Sequence, residues 1–178
     1  MQVTVVLGET VERVEVPEEE LLSFPRGVIG FEEFTRYALF ELEQPLYLLQ
    51  AVEDPDVGFL LLDPLLVAAG YDASLSGDDR ALLKVRSARQ TKLLSVVTLS
   101  AEGTPATVNL RAPLAINLDE GLGTQIIPQE SPYPVRYPLP VSPEGELMLD
   151  APTSGRSGRA GGRRNGSRER QEATQCLS

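Results

Sequence analysis

LYLLQAVEDPDVGFLLLDP, residues 46–64, is the stretch on which the fold turns. Leu46–Val52 and Val57–Leu62 are apolar on nearly every residue and have the length of strands rather than helices. Between them Glu53-Asp54-Pro55-Asp56 carries turn chemistry: Pro55 fixes φ, and the Asp54 carboxylate can bond its own backbone. The stretch reads as a β-hairpin. Strands apolar in both directions need cover on both faces, so the hairpin belongs in the middle of a closed or sandwiched sheet.

The flanking sequence supplies that cover. Val3–Leu7 and Val11–Val16, joined by Gly8-Glu9-Thr10, form a first hairpin with one wet face, and Pro17 followed by three glutamates suits one or two helical turns. In SFPRGVIGFEEF, residues 23–34, Phe24, Phe31 and Phe34 are interleaved with Pro25, Gly27 and Gly30, a pattern for aromatics packed across the end of a barrel. Tyr37–Leu42 feeds the central hairpin as a strand. Ser76 is a fair N-cap with Asp78 and Asp79 in the first turn, which predicts a short helix over Ser76–Val85 with Ala81, Leu82 and Leu83 toward the core. Lys92–Leu99 returns to strand, and Ala106–Pro128 holds two or three more, with Asn109 and Asn117 needing hydrogen-bond partners. Five prolines among residues 132–143 restrict that segment to an edge or strap. The expected fold is all-β, barrel-like and mostly antiparallel, with short helical segments. One domain is expected over 1–140, and 141–178 is expected to be a disordered Pro/Gly/Arg-rich tail.

Charge divides the chain in the same way. Residues 1–150 carry 10 Lys+Arg against 24 Asp+Glu, a balance of −14, whereas 151–178 carry 6 against 2, a balance of +4. An acidic body repels nucleic acid and favours encounter with a basic protein. The arginine tail could touch RNA through the backbone, but it lacks interleaved aromatics. No run approaches the roughly 18 apolar residues of a membrane span and no signal peptide is visible, so a cytoplasmic protein without membrane contact is expected. The lack of a heptad or long amphipathic helix makes a free monomer the expectation.

The sequence has no histidine, and its one cysteine, Cys176, lies third from the end. Zinc spacings, Ser-His-Asp and Cys-His arrangements and structural disulfides are thereby removed. The remaining carboxylate pairs, Glu53/Asp54/Asp56, Asp78/Asp79 and Asp119/Glu120, sit at turns or a helix start, where backbone chemistry explains them. No run matches an EF-hand loop, and Phe24–Gly30 has neither the Walker lysine nor GxGxxG spacing. No enzyme, metal or cofactor is expected. The alternative, a small β-barrel ligand-binding module or enzyme, would need a deep pocket with convergent polar groups.

Four pieces in order then resemble the FliW family of flagellar assembly factors. They are FPRGVIGFEEF (Phe24–Phe34), the central hairpin (Leu46–Pro64), TVNLRAPLAINLDEGLGTQII (Thr107–Ile127) and YPVRYPL (Tyr133–Leu139). The resemblance implies a barrel-like protein without enzymatic activity that binds the translational repressor CsrA, preventing it from silencing flagellin mRNA, and that also binds flagellin. A partner switch of this kind needs differential binding. The resemblance further implies that acidic positions after the central hairpin face the repressor: here Tyr71 and Asp72, then Asp78 and Asp79. Asp72 keeps an acidic family position and Ser74 departs from one; Tyr137 replaces a usual histidine, and the basic tail is an extension expected to modulate the acidic face. The hairpin acids Glu53, Asp54 and Asp56 complete the candidate partner-binding set.

Overall fold

The computed structural model describes residues 1–43, 45–99 and 105–139. Their strands are β1 (Gln2–Leu7), β2 (Thr10–Glu15), β3 (Leu22–Ser23), β4 (Arg36–Glu41), β5 (Leu46–Ala51), β6 (Gly58–Leu62), β7 (Lys92–Thr98), β8 (Thr107–Val108), β9 (Leu114–Asn117), β10 (Leu122–Gln125) and β11 (Tyr137–Pro138). Helix α1 (Gly77–Leu82) lies between β6 and β7, and single 3-10 turns occupy Glu18–Glu20, Pro64–Leu66 and Ala88–Gln90. The expected tail, 141–178, lies outside the described residues.

The central hairpin forms as its sequence dictates. β5 and β6 pair antiparallel from Leu46 opposite Leu62 to Gln50 opposite Gly58. Asp54 Oδ1 accepts from the Asp56 N–H at 2.9 Å, the backbone role expected of it. Gln50 holds the turn from beneath: fully buried, it donates from Nε2 to the carbonyls of Asp54, Pro55 and Val57 at 3.1, 3.2 and 2.9 Å. Across the ladder the fit is close, since a Cβ on Gly58 would stand 3.0 Å from Gln50 Oε1 and the amide would have to give by a few tenths of an ångström.

Around this hairpin the sheet closes. Neighbours run β7, β6, β5, β4, β3, β10, β9, and β9 returns to β7 through Lys92 opposite Ile116, Leu93 opposite Ala115 and Leu94 opposite Leu114. All of these pairings are antiparallel except β3 with β10, where Leu122 faces Ser23 in parallel. The result is a seven-stranded barrel. The C-terminal half of β7 pairs instead with β8, which carries β11 at the edge, so the proline-rich strap lies where a strand lacking N–H donors can lie.

Alternation along the strands sorts the side chains into two layers. Leu39, Leu49 and Phe59 follow the ladder inward and meet Leu22, Phe24, Tyr37, Leu61, Leu94, Leu114 and Ile116 in the barrel core. Their neighbours point outward and are covered twice. The β1–β2 hairpin lays Val3, Val14 and Val16 on Ala38 and Phe40 of β4. Residues 63–85 and the strap cover the opposite side, with Val67, Tyr71, Leu75 and Leu83 against Leu62, Val97, Ala115 and Ile126. Both faces of the central strands are therefore covered, with their ends partly open. A buried leucine side chain contributes about 1.5–3 kcal/mol, against about 0–1 kcal/mol for an exposed ion pair such as Arg36–Glu53, so the two apolar layers hold the fold.

Phe24–Phe34 crosses the hairpin end of the barrel, as its aromatic spacing predicts. Phe24 stacks edge-on to Tyr37 at 5.2 Å and Phe31 edge-on to Phe59 at 5.1 Å. Gly27, at φ +65, turns so close to Glu32 that a Cβ would lie 2.4 Å from its backbone. Two details differ from the sequence reading. The first hairpin turns through Gly8-Glu9 alone, because Leu7 pairs directly with Thr10. In α1 only Leu83, the C-cap residue, is fully buried while Ala81 is exposed; the helix is six residues long and ends where Lys84 enters the left-handed region at φ 54, so a single turn reaches the barrel.

Gly123 is the sharpest steric test of the closed barrel, because a Cβ there would meet the Phe24 ring at 2.3 Å. Gly123→Ala is expected to lower unfolding free energy by about 1–3 kcal/mol in urea titrations, while Gly77→Ala, with open space around it, is expected to change little.

Candidate protein-binding site

The registers bring several acid-bearing segments to one end of the barrel. β5 runs toward the Glu53–Asp56 turn, β4 starts beside it with Tyr37 opposite Ala51, and β3 and β10 run in parallel to the same end. Glu32 and Glu33 lie on the segment crossing that end. Glu32 is held below the usual carboxylate range by N–H groups of Gly30 and of its own residue. Arg36 Nε donates to Glu53 Oε1 at 2.9 Å. Glu53 is thus partly neutralised and Asp54 is occupied by its turn, whereas Asp56 is exposed and in no ion pair among the described residues.

The second group is built on the start of α1. Ser76 caps the helix: its Oγ accepts from the Asp79 N–H at 3.0 Å, and Asp79 Oδ2 accepts from the Ser76 N–H at 3.2 Å. This reciprocal pair satisfies two helix-end donors at once. Asp79 Oδ1 takes Arg26 Nη1 at 2.9 Å, so a nearly buried carboxylate ties α1 to the loop crossing the barrel end. Asp78, next to it, is exposed. Tyr71 is buried, with its hydroxyl donating to the Leu110 carbonyl at 2.6 Å and its ring 4.6 Å from that of Tyr133. Asp72 follows it into solvent.

Of the seven candidate residues, then, Asp72, Asp78, Asp56 and Glu53 present carboxylates outward, and Tyr71, Asp79 and Asp54 position the backbone that carries them. Between the start of α1 and residues 125–130 lies a groove of about 460 Å³ lined by Arg26, Ser74, Asp78, Ile127 and Glu130 among others. Two of its polar lining side chains are already bonded: besides the Asp79 contacts, Gln125 Oε1 accepts from the Ile29 N–H and its Nε2 donates to the Ala112 carbonyl, both at 3.0 Å. Polar atoms committed in this way are not free to orient a small ligand, which weighs against the alternative of a ligand-binding module. Among the described residues no group of three or more acids could hold a metal ion. Sequence reading missed Arg26, Ile127 and Glu130, because nothing in their local pattern marks them; only the closed barrel brings them together.

Two tyrosines are buried in these groups. Burial pushes Tyr37 up to about 12, with Glu53 and Glu33 adding to it, and burial pushes Tyr71 up to about 12, with Tyr133 and Asp72 adding. The Tyr37 hydroxyl has no hydrogen-bond partner among the described residues.

The family model described as FliW protein matches residues 7–139. A flagellar assembly factor FliW of Clostridium botulinum (strain Langeland) is 34% identical over 128 residues, covering 71% of this chain and 90% of that protein. One from Natranaerobius thermophilus is 37% identical over 129 residues, covering 71% and 85%. A crystal structure of the flagellar assembly factor FliW superposes with a TM-score of 0.69 at 27% identity, covering 76% of this chain and 95% of that one.

Stability should respond to alkali with a defined sign. A raised folded-state value means that the folded protein keeps each phenolic proton longer than the unfolded chain. That contribution is present below pH 10 and is lost as pH rises from 10 through about 12. Urea titrations across this range should show the fall, and Tyr37→Phe with Tyr71→Phe should flatten it. At neutral pH Tyr71→Phe is expected to cost about 1 kcal/mol for its lost hydrogen bond, whereas Tyr37→Phe, which removes a hydroxyl without a partner, is expected to cost nothing or to stabilise.

Proposed function

Because the chain belongs to the FliW family of flagellar assembly factors, whose members are non-catalytic regulators, we propose that it acts by reversible protein binding, taking the translational repressor CsrA and, alternatively, flagellin. Held by this chain, CsrA is withdrawn from flagellin mRNA; free flagellin takes the chain up and releases CsrA, and export of flagellin reverses the exchange. This is a population shift set by relative affinity, and it requires only that the partners differ in what they contact.

The observation that carries this reading is the exposed acid set, Asp72 and Asp78, on backbone fixed by the Ser76–Asp79 cap and the Arg26–Asp79 ion pair. An RNA-binding repressor is basic. Rigidly placed carboxylates speed its encounter and set its orientation, and neighbouring apolar surface such as Ile127, 68% exposed, supplies contact area. The hairpin acids Glu53, Asp54 and Asp56 extend the negative field toward the same end of the barrel. A body of this charge repels nucleic acid electrostatically. In this reading residues 1–140 form the binding domain, a monomer when free, working in the cytoplasm.

Titration calorimetry of the full chain with the CsrA and flagellin of the same organism tests the proposal. Binding of both partners is expected, with Asp72→Lys weakening the CsrA complex by roughly tenfold and leaving the unfolding midpoint unchanged. Loss of neither complex in Asp72→Lys and Asp78→Lys would move the site elsewhere; absence of binding in the parent chain would overturn the function.

A further inference from the structure

The described chain stops at Leu139, which is buried and donates its N–H to the Ala106 carbonyl at 2.9 Å. β11 runs antiparallel to β8 and β8 antiparallel to β7, so the chain leaves the barrel travelling toward the hairpin end, where the groove opens. Residues 140–155 separate that exit from Arg156, the first of six arginines at 156, 159, 163, 164, 168 and 170. A random coil of this length would have a root-mean-square span of about 20 Å, enough to return to the end of the barrel from which residue 139 departs.

The groove suits such a segment. Asp78 on the α1 side and Glu130 on the residue 125–130 side both line it, both exposed and without an ion pair among the described residues. Its one lining cation, Arg26, is already matched by Asp79. Apolar side chains also line it, with Leu75 and Ile126 buried and Ile127 open. Guanidinium groups pair with carboxylates through a planar fork and lie along apolar surface with their methylene stems, whereas a lysine shares the apolar stem but offers only a point charge in place of the fork.

We propose that the arginine-rich segment 156–170 of this chain docks in cis on the groove between the start of α1 and residues 125–130, pairing with Asp78 and Glu130. Tethering gives the segment an effective concentration far above that of a dilute partner, so weak ion pairs suffice to fill the groove much of the time. The segment then competes with any basic partner for the same carboxylates and sets a threshold that the partner must exceed. This regulatory consequence rests on the reading of the acid set as a CsrA site; the docking itself does not.

The lone cysteine makes the test direct. A nitroxide attached to Cys176 of the full chain, with no partner present, is expected to broaden the backbone amide signals of Ser74, Asp78, Ile127, Gln129 and Glu130 at low salt and to release them at high salt. Asp78→Lys combined with Glu130→Lys should relieve the broadening while the rest of the amide spectrum keeps its dispersion. Equal intensities throughout, or broadening centred on another surface such as the β1–β2 hairpin, would overturn the proposal. Broadening that grows with protein concentration would also overturn it, by assigning the groove to the tail of a second copy. Because the measurement contains no CsrA or flagellin, its failure leaves the family function standing, and a failed partner titration leaves this contact standing.

Discussion

A sheet apolar on both faces has to be covered twice, and that requirement shapes the whole molecule. Closing seven strands into a barrel hides one face, since Leu39, Leu49, Phe59, Leu61 and Leu94 then pack on one another. The other face cannot be hidden by closure. It is covered by separate pieces of chain, the β1–β2 hairpin on β4 and the run from Val67 through Leu83 with the strap on the opposite side. The long connection between β6 and β7, which carries Asp72, Asp78 and Asp79, is first of all an outer cover. This is why its buried residues, Tyr71, Ala73, Leu75, alternate with its exposed ones, Asp72, Ser74, Ser76.

The hairpin end is where the two layers are joined. Phe24 enters the barrel core through the space that Gly123 leaves, and two residues later Arg26 turns outward to Asp79 on the cover. A short piece of irregular chain thus couples the inner packing to the position of α1. An ion pair with one exposed partner contributes little energy, but the Asp79 carboxylate also closes the helix cap, so removing it would leave orphan donors at the start of a six-residue helix that has no length to spare.

Placing acids at fixed backbone sites would suit the partner exchange proposed above. Carboxylates in solvent cost little to keep charged, attract a basic surface over about a Debye length, and release it when something binds better. The carboxylates that carry structure, Asp79 and Asp54, are bonded internally and unavailable for exchange, while Asp72, Asp78 and Asp56 are available because their neighbours do the holding.

Much of this was legible in the sequence, and the limit falls at a definable place. Strand length and apolar runs determined the central hairpin; Asp54, Pro55 and Asp56 determined its turn; Ser76 with Asp79 determined the start of α1; and prolines 134 and 138 sent the last strand to an edge. These are local matters, settled by backbone chemistry within a few residues. Which strand closes the barrel was not legible, because β7 has the same apolar pattern toward β9 as toward β6 and only the packed circle selects both. Nor was the role of Gln50, Arg26 or Asn117, whose partners are the turn beyond β5, a residue 53 positions away, and the Leu83 carbonyl at the end of α1. A polar side chain bonds whatever the fold brings within about 3 Å, and the sequence states its hydrogen-bonding capacity without stating its neighbour. The tertiary structure alone decided that Asp79 is tied to Arg26 while Asp78 beside it stays exposed, because the partner of a carboxylate 53 residues away is set by the closed barrel.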